Sequence, residues 1–151
     1  MQENKKTIDV LNSLIEINND RIEGYKHAAD ETDDSTMKSL FAQMSQTSVD
    51  CKQELSKEVK NLGGTPTEGT ATSGKLYRVW MDVRAALTNK DRKAILSSCE
   101  TGEDVAVKAY QDAVDNEDVA SEHRYLIKKQ YGMIKADHDK MRNLRDAYIK
   151  A

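Results

Sequence analysis

Apolar residues recur at steps of three and four residues in four separate segments of the chain. The pattern is clearest over residues 36–62, where it persists for almost four heptads and stops at the pair Gly63-Gly64. Such steps place apolar side chains along one face of a helix. Glycine readily adopts the left-handed backbone that often ends a helix. The chain is therefore predicted to be all-α.

The connections between the predicted helices indicate how the helices are arranged. Four long helices are predicted, over residues 7–30, 36–62, 91–114 and 118–150, with Thr7 and Asp91 as N-terminal caps. The first and last connections are short, which makes helices one and two, and three and four, antiparallel neighbours. The central connection, residues 63–90 with a short helix over 75–88, is long enough to run back along the bundle. We therefore predict one ferritin-like four-helix-bundle domain over residues 1–151, with one long crossover.

Composition and charge limit the classes of partner. The chain has 151 residues, one proline and a net charge of −3, which suits a single helical domain and provides no basic surface for nucleic acid or anionic membranes. The first residues lack the apolar region of a signal peptide, and apolar runs are too short to span a bilayer. Both cysteines, Cys51 and Cys99, fall at apolar helix positions, as in a reducing compartment. A cytoplasmic protein is predicted.

A few polar residues interrupt the predicted apolar faces. Counting from the turns places four of them at one height near the middle of the bundle, where they form a candidate ligand site: Asn18, Ser48, Glu103 and Gln130. Three further positions are predicted to be buried polar residues: Tyr110, His123 and Asp137. The same count places His123 beside Tyr110, and Asp137 near Leu96, closer to the other end.

Two interpretations of this polar layer remain open. In the first, the buried side chains hydrogen-bond one another and fix the helix register. Replacing Glu103 by alanine would then cost about 1–3 kcal/mol by leaving Asn18 or Gln130 unpaired. In the second interpretation, the layer binds a small ligand or a metal ion through Glu103.

The crossover helix carries aromatic residues whose role is also open. Leu76, Trp80, Val83 and Leu87 share one face of it, and Tyr77 lies beside them. This face either packs the crossover onto the bundle, or is partly exposed and binds a protein partner or a second copy through Trp80.

Two stretches and the crossover resemble a known family. They are the Asn-Asn-Asp-x-x-x-Gly-Tyr stretch (Asn18 to Tyr25), the Cys-Glu-x-Gly-Glu-Asp stretch (Cys99 to Asp104), and the glycine-rich crossover with Tyr77 and Trp80. They are similar to an uncharacterised bacterial domain-of-unknown-function family described as ferritin-like four-helix bundles. The resemblance implies a fold and no established activity.

The wider ferritin-like superfamily is known for di-iron sites, and this sequence matches that ligand pattern poorly. Such sites take one Glu from each of two helices and Glu-x-x-His from each of the other two. The carboxylates of helix one, Glu16, Asp20 and Glu23, are predicted to face outward, and helices two and four contain no Glu-x-x-His. Only Glu103 lies where a ligand is needed. We therefore predict a structural or interaction protein without catalytic residues or cofactor, with iron or another divalent metal at Glu103 as the alternative.

Overall fold

The computed structural model describes the backbone of residues 2–71 and 74–150 and the side chains of residues 4–71 and 74–147. It contains five helices: α1 (Gln2–Glu31), α2 (Ser35–Asn61), α3 (Gly74–Thr88), α4 (Arg92–Val114) and α5 (Ser121–Lys150). The described ranges contain no strand, so the prediction of an all-α chain is confirmed. Residues 1, 72–73 and 151 of the predicted domain lie outside the described residues. Across those ranges, no helix has the length and apolar character needed to cross a bilayer.

Contacts at the two ends of the long helices establish their directions. Arg92, at the start of α4, forms an ion pair with Asp34, which caps the start of α2. At the opposite end, the Thr7 hydroxyl of α1 donates to the carbonyl of Asp118 in the α4–α5 turn, over 3.4 Å. Helices α2 and α4 therefore begin at the same end and run parallel. The chain between them returns along the bundle, with α3 packed against α4 and α1.

The helix ends follow from local hydrogen-bonding chemistry. The Asp34 carboxylate accepts from the backbone N–H groups of Thr36 and Met37, and Asp91 caps α4 by accepting from Ala94 over 3.1 Å. After α2, Gly63 has φ of +85° and donates its N–H to Lys60. The cap at Asp91 and the glycine stop are as the sequence predicts.

Two predicted helix starts were wrong. Helix α1 begins at Gln2, before the predicted start at residue 7, so Thr7 is a buried residue within the helix and no cap. Helix α5 begins at Ser121, after the predicted start at residue 118. The turn before it is longer than predicted because it also buries Val119.

The core consists of two apolar clusters with polar side chains between them. One cluster, at the α1–α2 turn end, includes Tyr25, Phe41 and Met44. The other, at the α4–α5 turn end, includes Leu11 and Leu55. Residues of α1, α2, α4 and α5 contribute to the polar region that separates them.

The buried face of α5 differs from the predicted one. The sequence predicts that Leu126, Met133 and Leu144 face the core, but Leu144 is 37% exposed and the other two are half-buried. Met141 is buried as the sequence predicts, and Ile127 and Ile134 occupy the core in place of the other three. Apolar residues occur on both flanks of α5, and the β-branched pair is the one that packs inward.

Helix α3 packs through a slightly rotated face. Val79 and Ala86 are buried with Leu76, Val83 and Leu87, whereas Trp80 is half-buried. The indole meets the ring of Tyr25 edge-on, at 5.2 Å between centroids. Tyr77 and Met81 are 68% and 48% exposed. Trp80 thus joins the crossover to the bundle, and contact of this face with a partner or second copy stays a prediction.

The close approach of α3 to α1 depends on a glycine, which yields a first prediction. A Cβ at position 24 would lie 2.2 Å from Cε2 of Trp80. We expect Gly24→Ala to lower the free energy of unfolding by about 1 kcal/mol or more, because overpacking outweighs the better helix propensity of alanine. Gly132→Ala is the control, since a Cβ added there would meet no atom within 4 Å beyond its own turn of helix. It should gain about 0.5–1 kcal/mol. Equal stabilisation of both variants in urea unfolding would contradict this close contact.

Candidate functional site

The middle of the bundle is organised around a buried arginine that the sequence pattern did not predict. Arg21 of α1 is only 4% exposed. It follows Asn18 by three residues and precedes Tyr25 by four, and all three lie on the inward face of the helix. This spacing was the signal that could have revealed it. An arginine is nonetheless expected at a surface unless it is paired.

Three helices supply the partners of the Arg21 guanidinium. Glu103 of α4 accepts two parallel hydrogen bonds, from Nε over 3.1 Å and from Nη2 over 2.7 Å. Asp137 of α5 accepts from Nη2 over 3.0 Å, and the Ser48 hydroxyl of α2 accepts from Nη1 over 2.5 Å. Two parallel hydrogen bonds are the favoured geometry between a guanidinium and a carboxylate. Together, the three partners connect Arg21 to all three other long helices.

Tyr25 completes the surroundings of Glu103. Its hydroxyl donates to Oε1 of Glu103 over 2.7 Å, and its ring lies 5.6 Å from the guanidinium carbon of Arg21. Burial would lower the pKa of Arg21, but the Glu103 carboxylate raises that pKa above its ordinary value. Burial, together with Glu103, raises the pKa of Tyr25 well above the usual range. The site therefore contains a permanent cation and a neutral phenol that donates to the carboxylate.

Asp137 lies at the level of Glu103, so its predicted position near Leu96 was wrong. It is half-buried, and its contact with Arg21 places it at the centre of the bundle. Burial raises the pKa of Asp137, and the facing guanidinium opposes that rise. The count from the turns takes the helices as straight and of similar length, whereas α5 starts later than the sequence predicts.

A second chain of hydrogen bonds lies next to the arginine. Nδ2 of Asn18 donates to the Tyr110 hydroxyl over 2.8 Å, and that hydroxyl donates to Oε1 of Gln130 over 2.7 Å. The Gln130 amide in turn donates to the carbonyl of Cys51 over 3.1 Å. Four helices are thereby connected through neutral groups. Among the residues that the structure describes, Oδ1 of Asn18 is buried without a hydrogen-bond partner.

The four residues of the predicted layer thus lie at two adjacent levels. Ser48 and Glu103 are joined through Arg21, while Asn18 and Gln130 are joined through Tyr110. The expected hydrogen bond from Glu103 to Asn18 or Gln130 is wrong, because Arg21 and Tyr25 occupy the Glu103 oxygens.

His123 is buried, as the sequence predicts. Its Nδ1 lies 2.7 Å from Oε1 of Glu58, towards the end of the bundle where α5 begins. The hydroxyl of Tyr110, beside which the sequence places His123, bonds to Asn18 and Gln130. His123 therefore takes no part in the central site.

A second group of polar side chains lies between α4 and α5, nearer the surface. Nε2 of His138 is 2.6 Å from Asp104 and 3.9 Å from Glu100, and the three possible ligand atoms lie within 4.8 Å of one another. On its other side, Nδ1 of His138 is 3.0 Å from Asp139. Glu100 is also ion-paired with Arg145. A histidine between carboxylates can hold either a proton or a metal ion at Nε2.

Both cysteines are buried, as the sequence predicts. Burial raises the pKa of Cys51 to about 11 and raises that of Cys99 further. A thiol must ionise to act as a nucleophile, so neither environment favours that chemistry.

Together these features define an all-helical protein whose buried centre pairs an arginine with carboxyl groups from two other helices. Residues 6–116 match the family described as Domain of unknown function (DUF2383), and the chain belongs to that family. The predicted resemblance to an uncharacterised domain family is thereby confirmed. The matched span includes Arg21 and Glu103 but ends before α5, which supplies Gln130 and Asp137. No curated protein matches the chain in sequence.

Proposed function

We propose that this chain is a ferritin-like four-helix-bundle protein of the cytoplasm with a structural or interaction role, in which Arg21 takes the place of a metal centre. The helix directions support the ferritin-like assignment, since two antiparallel pairs joined by one long crossover are the features of that fold. The observation that carries the functional part is the doubly hydrogen-bonded pair of Arg21 and Glu103.

The central carboxyl groups do not fit a di-iron site. Such a site requires about six nitrogen or oxygen ligands from four helices, most of them anionic. The polar centre described here offers two carboxyl groups, Glu103 and Asp137, and both accept hydrogen bonds from Arg21. A metal ion could bind these carboxyl groups only by taking them from the guanidinium. The positively charged Arg21 would then lie buried next to the positively charged metal ion. In this proposal the guanidinium of Arg21 supplies the positive charge that iron ions supply in di-iron proteins of the ferritin-like fold.

The remaining side chains of the centre support a non-catalytic role. Each hydroxyl there has a structural partner: Tyr25 holds Glu103, Tyr110 connects Asn18 and Gln130, and the two thiols are buried with raised pKa values. An acid–base or nucleophilic site needs a group that can exchange protons with a substrate. The hydroxyl and carboxyl groups of this centre bond one another and Arg21.

A metal-binding role is the second candidate, and one cluster favours it at a different place from the predicted one. Glu100, Asp104 and His138 present two carboxylates and an imidazole nitrogen to one point. Asp139 holds the other ring nitrogen of His138, an arrangement common around metal-bound histidines. If the chain binds a divalent ion, this cluster suits it better than Glu103.

Metal analysis of tag-free protein separates these candidates. The protein is loaded anaerobically with Fe(II), desalted, and compared with Glu103→Gln and His138→Ala. We expect clearly substoichiometric metal in all three, because Arg21 blocks the centre and Arg145 competes for Glu100.

Two results would contradict the proposed role. Near-stoichiometric iron that disappears in Glu103→Gln would mean that the centre binds metal in place of the arginine pair. Near-stoichiometric iron that survives in Glu103→Gln and disappears in His138→Ala would establish the second candidate.

A further inference from the structure

A half-open cavity of about 270 Å³ lies between α1 and α3, away from the polar centre. Its α1 wall includes Asp20, Gly24 and His27, and its α3 wall includes Trp80 and Met81. Tyr77, Val83 and Leu87 add aromatic and aliphatic surface. A concave, largely apolar site with a few polar groups is the usual form of a small-molecule site.

One hydrogen-bond acceptor and one hydrogen-bond donor are buried here without partners. Within the described part of the chain, Oδ2 of Asp20 and Nε1 of Trp80 have no hydrogen bond. Asp20 and Gly24 are four residues apart on one face of α1, and Cε2 of Trp80, which is bonded to Nε1, packs on Gly24. Both atoms therefore lie at the same contact between α1 and α3.

The position of Asp20 differs from the outward one that the helical pattern predicts. The crossover covers this side of α1, and the backbone N–H of Ala71 donates to the Asp20 carboxylate. Burial raises the pKa of Asp20 to about 6, and the nearby Glu23 and Glu16 add to the rise. A buried acceptor of this kind is stabilised by any donor that enters the cavity, most of all by a cationic donor.

The surrounding charges favour a cation over an anion. Asp20 and Glu23 both line the cavity, and Arg84, the cationic residue of its lining, is ion-paired with Glu31 over 3.3 Å. The ring of Trp80 and the exposed ring of Tyr77 offer faces that attract organic cations. The indole N–H, by contrast, requires an acceptor.

We propose that this cavity binds a small organic ammonium compound that also carries a hydroxyl acceptor, with the ammonium on Asp20 and the hydroxyl on Nε1 of Trp80. The apolar part of such a molecule lies against Met81, Val83 and Leu87. The site goes beyond the proposed structural role and does not depend on the arginine centre.

The single tryptophan of the chain makes the test direct, because intrinsic indole fluorescence reports on Trp80 alone. Three probes of similar shape are titrated at pH 7.5. They are trans-4-aminocyclohexanol, which has both groups, cyclohexylamine, which lacks the acceptor, and trans-1,4-cyclohexanediol, which lacks the charge. We expect the affinity for the amino alcohol to exceed that for the diol by about 10-fold or more, with the affinity for cyclohexylamine between the two.

Variants assign the binding to the named groups. Asp20→Asn should weaken the binding of the amino alcohol by about 10-fold or more and leave the affinity for the diol unchanged. Asp82→Asn, the same change at an exposed carboxylate of α3 outside the cavity lining, is the matched control and should change binding less than about 3-fold, because solvent screens it. Circular dichroism and thermal melting check that both variants remain folded.

Specific outcomes would overturn the proposal. Equal affinity for the amino alcohol and the diol in the parent protein would mean an apolar groove without cation recognition, and this comparison requires no variant. An unchanged Trp80 signal with all three probes would mean that the cavity binds none of them. An Asp20→Asn protein that keeps full affinity for the amino alcohol would exclude the carboxylate as its partner.

Discussion

An Arg21→Met variant is expected to lose about 3–5 kcal/mol of unfolding free energy, because it leaves the carboxyl groups of Glu103 and Asp137 buried without their cation. Methionine keeps most of the aliphatic stem, so the loss reports mainly on charge and hydrogen bonds. Urea unfolding followed by circular dichroism measures it. Arg78→Met is the control, since Arg78 is exposed on α3, and it should change stability by no more than about 0.5 kcal/mol.

A double-mutant cycle isolates the pair itself. Glu103→Gln alone leaves Arg21 with Asp137 and should also be strongly destabilising. The combined Arg21→Met, Glu103→Gln variant should lose about 1–3 kcal/mol less than the sum of the single losses, because position 103 then no longer carries a buried charge without its cation. Strictly additive losses would contradict a direct interaction between the two side chains.

A Tyr110→Phe variant is expected to lose about 1–3 kcal/mol of unfolding free energy, the second largest effect among these predictions. It removes one hydroxyl that accepts from Asn18 and donates to Gln130, and leaves both amides buried with one partner fewer. The ring and its packing are retained. Tyr77→Phe makes the same chemical change on an exposed ring and should be neutral. If both variants unfold at the same urea concentration as the parent, the hydroxyl of Tyr110 contributes nothing to stability.

The helices and their order were predictable because they depend on local patterns. Apolar steps of three and four residues and the cap at Asp91 act within a few residues, and the structure agrees with them. The face of α5 was not predictable in the same way. Leu126 and Ile127 are equally good candidates for a core position, and the choice depends on how α4 and α2 pack against them.

The polar centre was predictable only in part. Glu103 stands out because it interrupts an apolar face, so the sequence is sufficient to name it. Arg21 was missed because its buried state depends on Glu103, which lies 82 residues further along the chain. When a charged residue lies on a core face, its ion-pair partner can be identified only once the helix that packs against it is known. Asp20 was assigned to solvent for a related reason, since the helical pattern alone does not show where the crossover lies.

Helix α5 provides Asp137 for Arg21 and Gln130 for Tyr110, and α5 is synthesised after the other four helices. In a nascent chain that still lacks α5, Arg21 can pair with Glu103 and Tyr110 with Asn18, but the bonds to Asp137 and Gln130 form only after residues 130–137 have been made. Packing of α1–α4 alone therefore leaves one hydrogen bond of each group unmade. The order of synthesis thus makes the docking of α5 the step that completes the polar centre.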